Sequence, residues 1–137
     1  PVDLLVRGNC SLYTNLPELN QNIRIYGIID RYLEHSRIFI FAAGGEEKIY
    51  IGSADWMPRN LDHRVEVVTP IYDPQIKEDL KQVVELGMKD NMQGRIVDGS
   101  GENILLGEQE PQAVPFRSQE ALYNYYLQQE CKDEKKE

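Results

Sequence analysis

Two runs rich in Ile, Phe and Tyr, SRIFIFAA at 36–43 and KIYIGSAD at 48–55, stand either side of GGEE. Alternating β-branched and aromatic residues broken by a Gly44-Gly45 pair predict a β-hairpin, because glycine readily accepts the turn conformations that let two strands fold back directly. A hairpin at this place commits the chain to an antiparallel pair. Both faces of the pair carry large apolar groups, which predicts a sheet covered on both sides. The rest of the chain is built around it. DLLVR (3–7) reads as a strand ending at a Gly8 turn, and IRIYGIID (23–30) as a strand or the start of a helical turn. The segment 11–22, between them, is irregular. RVEVVTPIY (64–72) reads as a further strand.

Asp73-Pro74 then signals a helix start, with an Asp cap and proline at the first helical position. Ile76, Leu80, Val83, Val84 and Met88 follow at helical spacing. RIVDGSGENILL (95–106) predicts a second hairpin turning at Asp98–Gly101; its acidic positions do not complete a calcium loop. Ser118 is placed to cap a last helix with an apolar stripe of Ala121, Leu122, Tyr125 and Tyr126. Strands mixed with helices that cover them give an α/β (α+β) single domain over 1–130. The charged tail at 131–137 is expected to fray.

Charge narrows the function classes. The net charge of −8 argues against a broad basic nucleic-acid surface. Yet six of the seven cations in residues 1–70 are arginine: Arg7, Arg24, Arg31, Arg37, Arg59 and Arg64. Arginine presents a planar fork of donors that fits phosphate oxygens, so an arginine-rich half in an acidic chain points to a local anion site. Two cysteines, Cys10 and Cys131, make neither a disulfide framework nor a zinc site, and reduced thiols are expected. No apolar run approaches the roughly 20 residues of a membrane span.

His35 and Arg37 lie at i and i+2, so on a strand they share a face, and Glu34 points away. Two cations so placed repel unless an anion sits between them. From the residues alone, His35 is either a satisfied edge histidine or a phosphate contact. Glu66 either lines a site or simply pairs Arg64 across i, i+2. Trp56 and Met57 are expected to pack in the core beneath their loop, His63 to lie on the surface, and Arg24 and Arg31 to be solvated or ion-paired.

A histidine and a cation on one strand, followed by a Gly-Ser turn, resemble the phospholipase D superfamily signature His-x-Lys, Asp, Gly-Ser-x-Asn. Arg37 stands at the lysine, Ala42 at the aspartate and Asp55 at the asparagine, and the Gly-Ser pair comes about three residues late. A longer match is present. LLVRG, NIRIYGIIDRYLEHSRIF, IYIGSADWMPRNLDHRVEV and FRSQEALYNYYLQ resemble, in order, the C-terminal catalytic domain of bacterial polyphosphate kinases. The resemblance implies a phospholipase-D-like mixed sheet covered by helices. It implies reversible transfer of the terminal phosphate of ATP to inorganic polyphosphate through a phosphohistidine held on a preceding domain.

Carried over position by position, the resemblance implies that Arg7 and His35 contact phosphate, with His35 also an acid or base. It implies that Arg64 and Glu66 line the catalytic tunnel and that Arg37 and Arg59 add to the phosphate-binding set. Mg2+ is implied with ATP, its ligands lying mostly outside this chain, and none is assigned here. The implied partners are ATP or ADP, polyphosphate, other domains of one polypeptide and further copies in a homo-oligomer, with no nucleic acid. A cytoplasmic location, with peripheral membrane association of the full-length enzyme, is implied as well. Two other readings stay open at this point: a phosphodiesterase or nuclease half-site of the phospholipase D type, and a non-catalytic anion-binding or oligomerisation module.

Overall fold

The computed structural model describes residues 1–8, 10–12, 22–98 and 100–133. In chain order the elements are β1 (Val2–Val6), β2 (Ile23–Ile28), β3 (Ile38–Phe41), β4 (Lys48–Gly52), α1 (Pro58–His63), β5 (Val68–Ile71), α2 (Pro74–Met88), β6 (Gly94–Ile96), α3 (Leu106–Gln109) and α4 (Ser118–Asp133). They fall into two compact units, one of Pro1–Glu34 with Glu85–Glu137 and the other His35–Val84. Instead of the one mixed sheet expected, each unit holds a three-stranded sheet, ordered β1-β2-β6 and β3-β4-β5.

In the first unit β1 runs parallel to β2, with Val2 opposite Ile23 and Leu4 opposite Ile25, and β6 is antiparallel to β2. The register sets Asp3 opposite Arg24, and the two form a two-point ion pair through Nε and Nη2. Arg24 is thus an ion-pair partner. Ile25 and Ile28 are the buried apolar residues of β2. Gly87 of α2 lies against β1: a Cβ there would stand 2.5 Å from Leu5 Cδ2, so a larger residue would require the Leu5 side chain to shift.

The C-terminal end of α2 is tied down by Asp90, which is fully buried. Its Oδ1 accepts from the amides of Met92, Gln93 and Gly94 at 3.0, 2.7 and 3.2 Å. Its Oδ2 accepts from the amide and the hydroxyl of Ser118, both at 2.7 Å. Burial pushes the carboxyl pKa up, but the Ser118 hydroxyl and the surrounding amides more than reverse this and hold it below the usual carboxylate range. Ser118 was expected to cap α4 and instead spends its hydroxyl on Asp90. The first turn is closed through the backbone, Ala121 N–H donating to the Arg117 carbonyl.

The second hairpin is rudimentary, one bridge between Arg95 and Leu105, with Ser100 N–H donating to Asp98 in the turn. Helix α4 continues to Asp133, past the point where fraying was expected; 134–137 lie outside the described residues, as do 13–21 of the irregular segment. The tyrosine stripe is only partly covered, Tyr126 being exposed and meeting Tyr125 edge-on. Cys10 and Cys131 are free thiols.

In the second unit the expected hairpin is present, Ile38 opposite Ile51 and Ile40 opposite Ile49, and a 3-10 turn at Ala43–Gly45 reverses the chain. β5 adds on the far edge of β4. It is shorter than expected, starting at Val68, and it carries Pro70, which an edge strand tolerates because its missing N–H faces away from the ladder. The prediction of two covered faces is corrected. Ile49 is buried on one face, while Phe41 and Val68, on the other, are more than half exposed. Trp56 and Met57 are also exposed, not core, although Trp56 stacks on Phe39 with ring centroids 5.8 Å apart. Alternation fixes which side chains share a face; it does not say which face is covered. Helix α2 begins as the sequence indicates, with Asp73 Oδ1 accepting from the amides of Gln75 and Ile76 at 2.8 and 3.1 Å.

Candidate active site

His35 is exposed just before β3, and the hairpin ladder starts one residue ahead of that strand, with Gly52 N–H donating to the Arg37 carbonyl at 3.0 Å. Neither residue lies on β3 itself, yet the side chains of Arg37 and His35 do meet. Their relation differs from the expectation. Arg37 Nη1 lies 3.3 Å from His35 Nδ1 and Nη2 lies 3.1 Å from Nε2. The two ring nitrogens direct their in-plane orbitals apart, so one guanidinium that reaches both lies over the ring face. Nη1 also donates to the His35 carbonyl at 3.2 Å. Arg37 Nε donates to Asp55 Oδ1 at 3.0 Å, an ion pair whose side chains are only 18% and 28% exposed. Asp55 therefore supplies the negative charge that the histidine–arginine pair was expected to need from outside. A delocalised, weakly hydrated guanidinium tolerates such stacking where an ammonium would not.

Beside this group, Glu66 ties three segments together. One carboxylate oxygen accepts from Ser53 Oγ in the turn after β4. The other accepts from Asn60 Nδ2 of α1 at 2.8 Å, and Ser53 Oγ in turn accepts from Val67 N–H at 3.1 Å. The Ser53 hydroxyl, then the Asn60 amide, lower the Glu66 pKa. Burial opposes them, and the positive fields of Arg64 and Arg37 assist. Glu66 is thus held as an anion by Ser53 and Asn60; no hydrogen bond joins it to Arg64. Asn60 is 97% buried by area, and its Oδ1 has no hydrogen-bond partner among the described residues. Arg59, on α1, and Arg64, just past its end, are exposed, and their side chains make no hydrogen bond with any described residue. Their guanidinium groups are open to an anion. His63 lies on the surface, as expected.

Arg7 belongs to the first unit, where it follows β1 and helps line a cavity of about 280 Å3 with Ile28, Asp30 and Tyr32. The loop at this cavity is held firmly by the start of α4. Arg117 grips both oxygens of Asp30 and also reaches Glu120. The Arg117 hydrogen bond, above all, lowers the Asp30 pKa, against the opposing effect of burial. Gln119 accepts from Tyr32 N–H at 3.0 Å and donates to the Tyr32 carbonyl and to Glu34 at 2.8 and 2.7 Å. Arg31 packs over the Tyr32 ring, 5.4 Å from its centroid.

The structure therefore brings His35, Arg37 and Asp55 into one group and connects Glu66 to Ser53 and Asn60, while Arg7 stands in the other unit. Sequence reasoning did not find the roles of Asp55, Ser53 and Asn60. Their signal was present in the SADWM-x-RN block, but their partners lie 18, 13 and 6 residues away, beyond any local rule. No group of three metal-ligating side chains occurs among the described residues, and no helix there is long and apolar enough to cross a membrane.

A family model described as polyphosphate kinase C-terminal domain 2 matches residues 1–119. The polyphosphate kinase of Escherichia coli (strain K12) is 44% identical over 125 residues, which are 91% of this chain and 18% of that protein. The polyphosphate kinase of Parasynechococcus marenigrum (strain WH8102) is 53% identical over 90 residues, 66% of this chain and 13% of that protein. Among solved structures, the polyphosphate kinase from Porphyromonas gingivalis matches with a TM-score of 0.85 and 40% identity, covering 93% of this chain and 19% of its own. The mixed α/β architecture is accordingly phospholipase-D-like. The matched region spans only 13–19% of the length of these relatives.

Proposed function

The chain belongs to the polyphosphate kinase C-terminal domain 2 family, and from that premise we propose that it is one catalytic domain of an enzyme moving phosphate between ATP and inorganic polyphosphate. In the proposed reaction the γ-phosphorus of ATP separates from the β–γ bridging oxygen, bonds to a histidine nitrogen on a preceding domain, and leaves ADP. The same phosphoryl group then passes to the terminal oxygen of polyphosphate, lengthening it by one unit, and the steps run in reverse to make ATP.

The observation that carries this reading is the exposed His35 imidazole, braced by Arg37 and Asp55 in the same unit as the open guanidinium groups of Arg59 and Arg64. Phosphoryl transfer depends mainly on positioning and on charges aimed at the spreading negative charge of the transition state. Arg59 and Arg64 offer such charges, and Arg7 is carried over from the family pattern alone as a further phosphate contact. His35 contacts the phosphate chain and hands a proton to a departing phosphate oxygen or takes one back. Glu66, kept anionic, fixes the corner between β4, α1 and β5 from which Arg59 and Arg64 project. Mg2+ accompanies ATP in this proposal. Asp55 and Glu66 are committed to Arg37, Ser53 and Asn60, and the described residues hold no cluster of three metal-ligating side chains for the ion.

The test is ATP-dependent polyphosphate synthesis, and its reversal with ADP, by the full-length protein. His35→Gln keeps a hydrogen-bonding side chain but loses the transferable proton. It should fold normally and lose turnover by about 10²–10⁴-fold. Wild-type turnover across pH 6 to 8, measured at saturating ATP, would remove the acid–base role.

A further inference from the structure

We propose that Arg37 and Asp55 are positioning residues that fix the orientation of the His35 imidazole, so that Arg37 serves the histidine and not the phosphate. The proposal rests on the phosphate-contact reading of His35.

Arg37 holds His35 at two levels. Its Nη atoms lie over both ring nitrogens, and Nη1 binds the carbonyl of the same residue. Gripping ring and main chain together restricts both side-chain torsions of an otherwise exposed histidine. Asp55 in turn fixes Arg37 through Nε. The pair is mostly shielded from water, so it is screened far less than a surface ion pair.

The same contacts argue against Arg37 as a phosphate clamp. A side-on fork needs Nε and its neighbouring Nη on two oxygens of one anion, and Nε is already given to Asp55. The positive charge is balanced by that carboxylate, and the guanidinium plane is laid on the ring. Arg59 and Arg64, by contrast, are exposed and keep whole forks. The chemistry therefore divides the arginines of this unit into one that braces and two that meet the anion. Supporting contacts of this kind, which orient a functional histidine, are typically worth 10- to 100-fold in activity.

The test compares Asp55→Asn, Asp55→Glu, Arg37→Lys and His35→Gln in the full-length protein, by steady-state kinetics and by carbethoxylation of His35 with diethyl pyrocarbonate. His63 on the same chain serves as the exposed internal reference. Asp55→Asn and Arg37→Lys should lower kcat by about 10- to 100-fold, with the KM for ATP nearly unchanged. Asp55→Glu should restore part of the loss. In Asp55→Asn the released ring should react several-fold faster relative to His63, a change that general weakening of the fold would not confine to His35. The proposal is overturned if Arg37→Lys raises KM while kcat holds, the behaviour of a phosphate ligand. It is overturned equally if Asp55→Asn leaves both kcat and the His35 rate at wild-type values while His35→Gln is crippled. If His35→Gln itself turns over normally, the reading of His35 falls and this proposal falls with it.

Discussion

Asp90→Asn should destabilise the first unit, which does not contain the His35, Arg37 and Asp55 group. The native carboxylate accepts five hydrogen bonds, three at Oδ1 and two at Oδ2, from a fully buried position. A hydrogen bond to a charged group contributes about 1.5–3 kcal/mol, against about 0.5–1.5 for a neutral one. The amide oxygen of asparagine can keep the three bonds from Met92, Gln93 and Gly94, each weakened by about 1 kcal/mol. The amide nitrogen then faces Ser118, whose hydroxyl can rotate to accept but whose N–H cannot, so that donor is left buried and unpaired at about 1–3 kcal/mol. Asparagine recovers part of this because a neutral side chain is cheaper to bury than an ion. The net loss at pH 7 is about 2–4 kcal/mol, a large share of the 5–15 typical of a whole domain. The pH dependence supplies the sign. Asp90 has a folded pKa below its unfolded value, so its contribution is complete above the unfolded pKa and fades as pH falls through the folded one. The gap between wild type and Asp90→Asn, read by urea unfolding, should be full at pH 7 and shrink only in acid. A variant within about 0.5 kcal/mol of wild type at pH 7, or a gap that widens in acid, would refute the reasoning.

Arg7→Lys in the full-length protein should keep the charge but lose the fork, cutting turnover at least about tenfold while the thermal midpoint barely moves; an equally large fall in stability would mark the arginine as structural. Asp73→Ala removes the oxygen that caps two amides of α2 and should cost about 1 kcal/mol, read as a lower urea midpoint with unchanged slope. The 137-residue chain alone should fold, as judged by a cooperative melt, yet make no polyphosphate from ATP, because the proposed phosphorylated histidine lies on another domain; sustained synthesis by the isolated chain would refute the division of labour.

Where a structural signal is local, the sequence carried it. The Gly44-Gly45 break and its flanking Ile, Phe and Tyr residues were enough for the β3–β4 hairpin. Asp73-Pro74 with its apolar spacing was enough for α2, because capping and periodicity act within a few residues. The motif blocks were enough for the family. The sequence by itself also set His35 and Arg37 two residues apart at the head of the hairpin, although the strand itself begins only at Ile38. Only the tertiary structure decided what they do to each other. Asp55 reaches Arg37 because the hairpin ladder and the turn after Gly52 return it across 18 residues, and that contact turns an expected repulsion into a stack. Asp90 and Ser118 meet across 28 residues, so a serine that local rules assign to a helix cap is spent on a buried carboxylate. Trp56, Phe41 and Val68 lie exposed although their chemistry suits a core, because hydrophobicity states a preference for burial while the packing of the chain decides which residues obtain it.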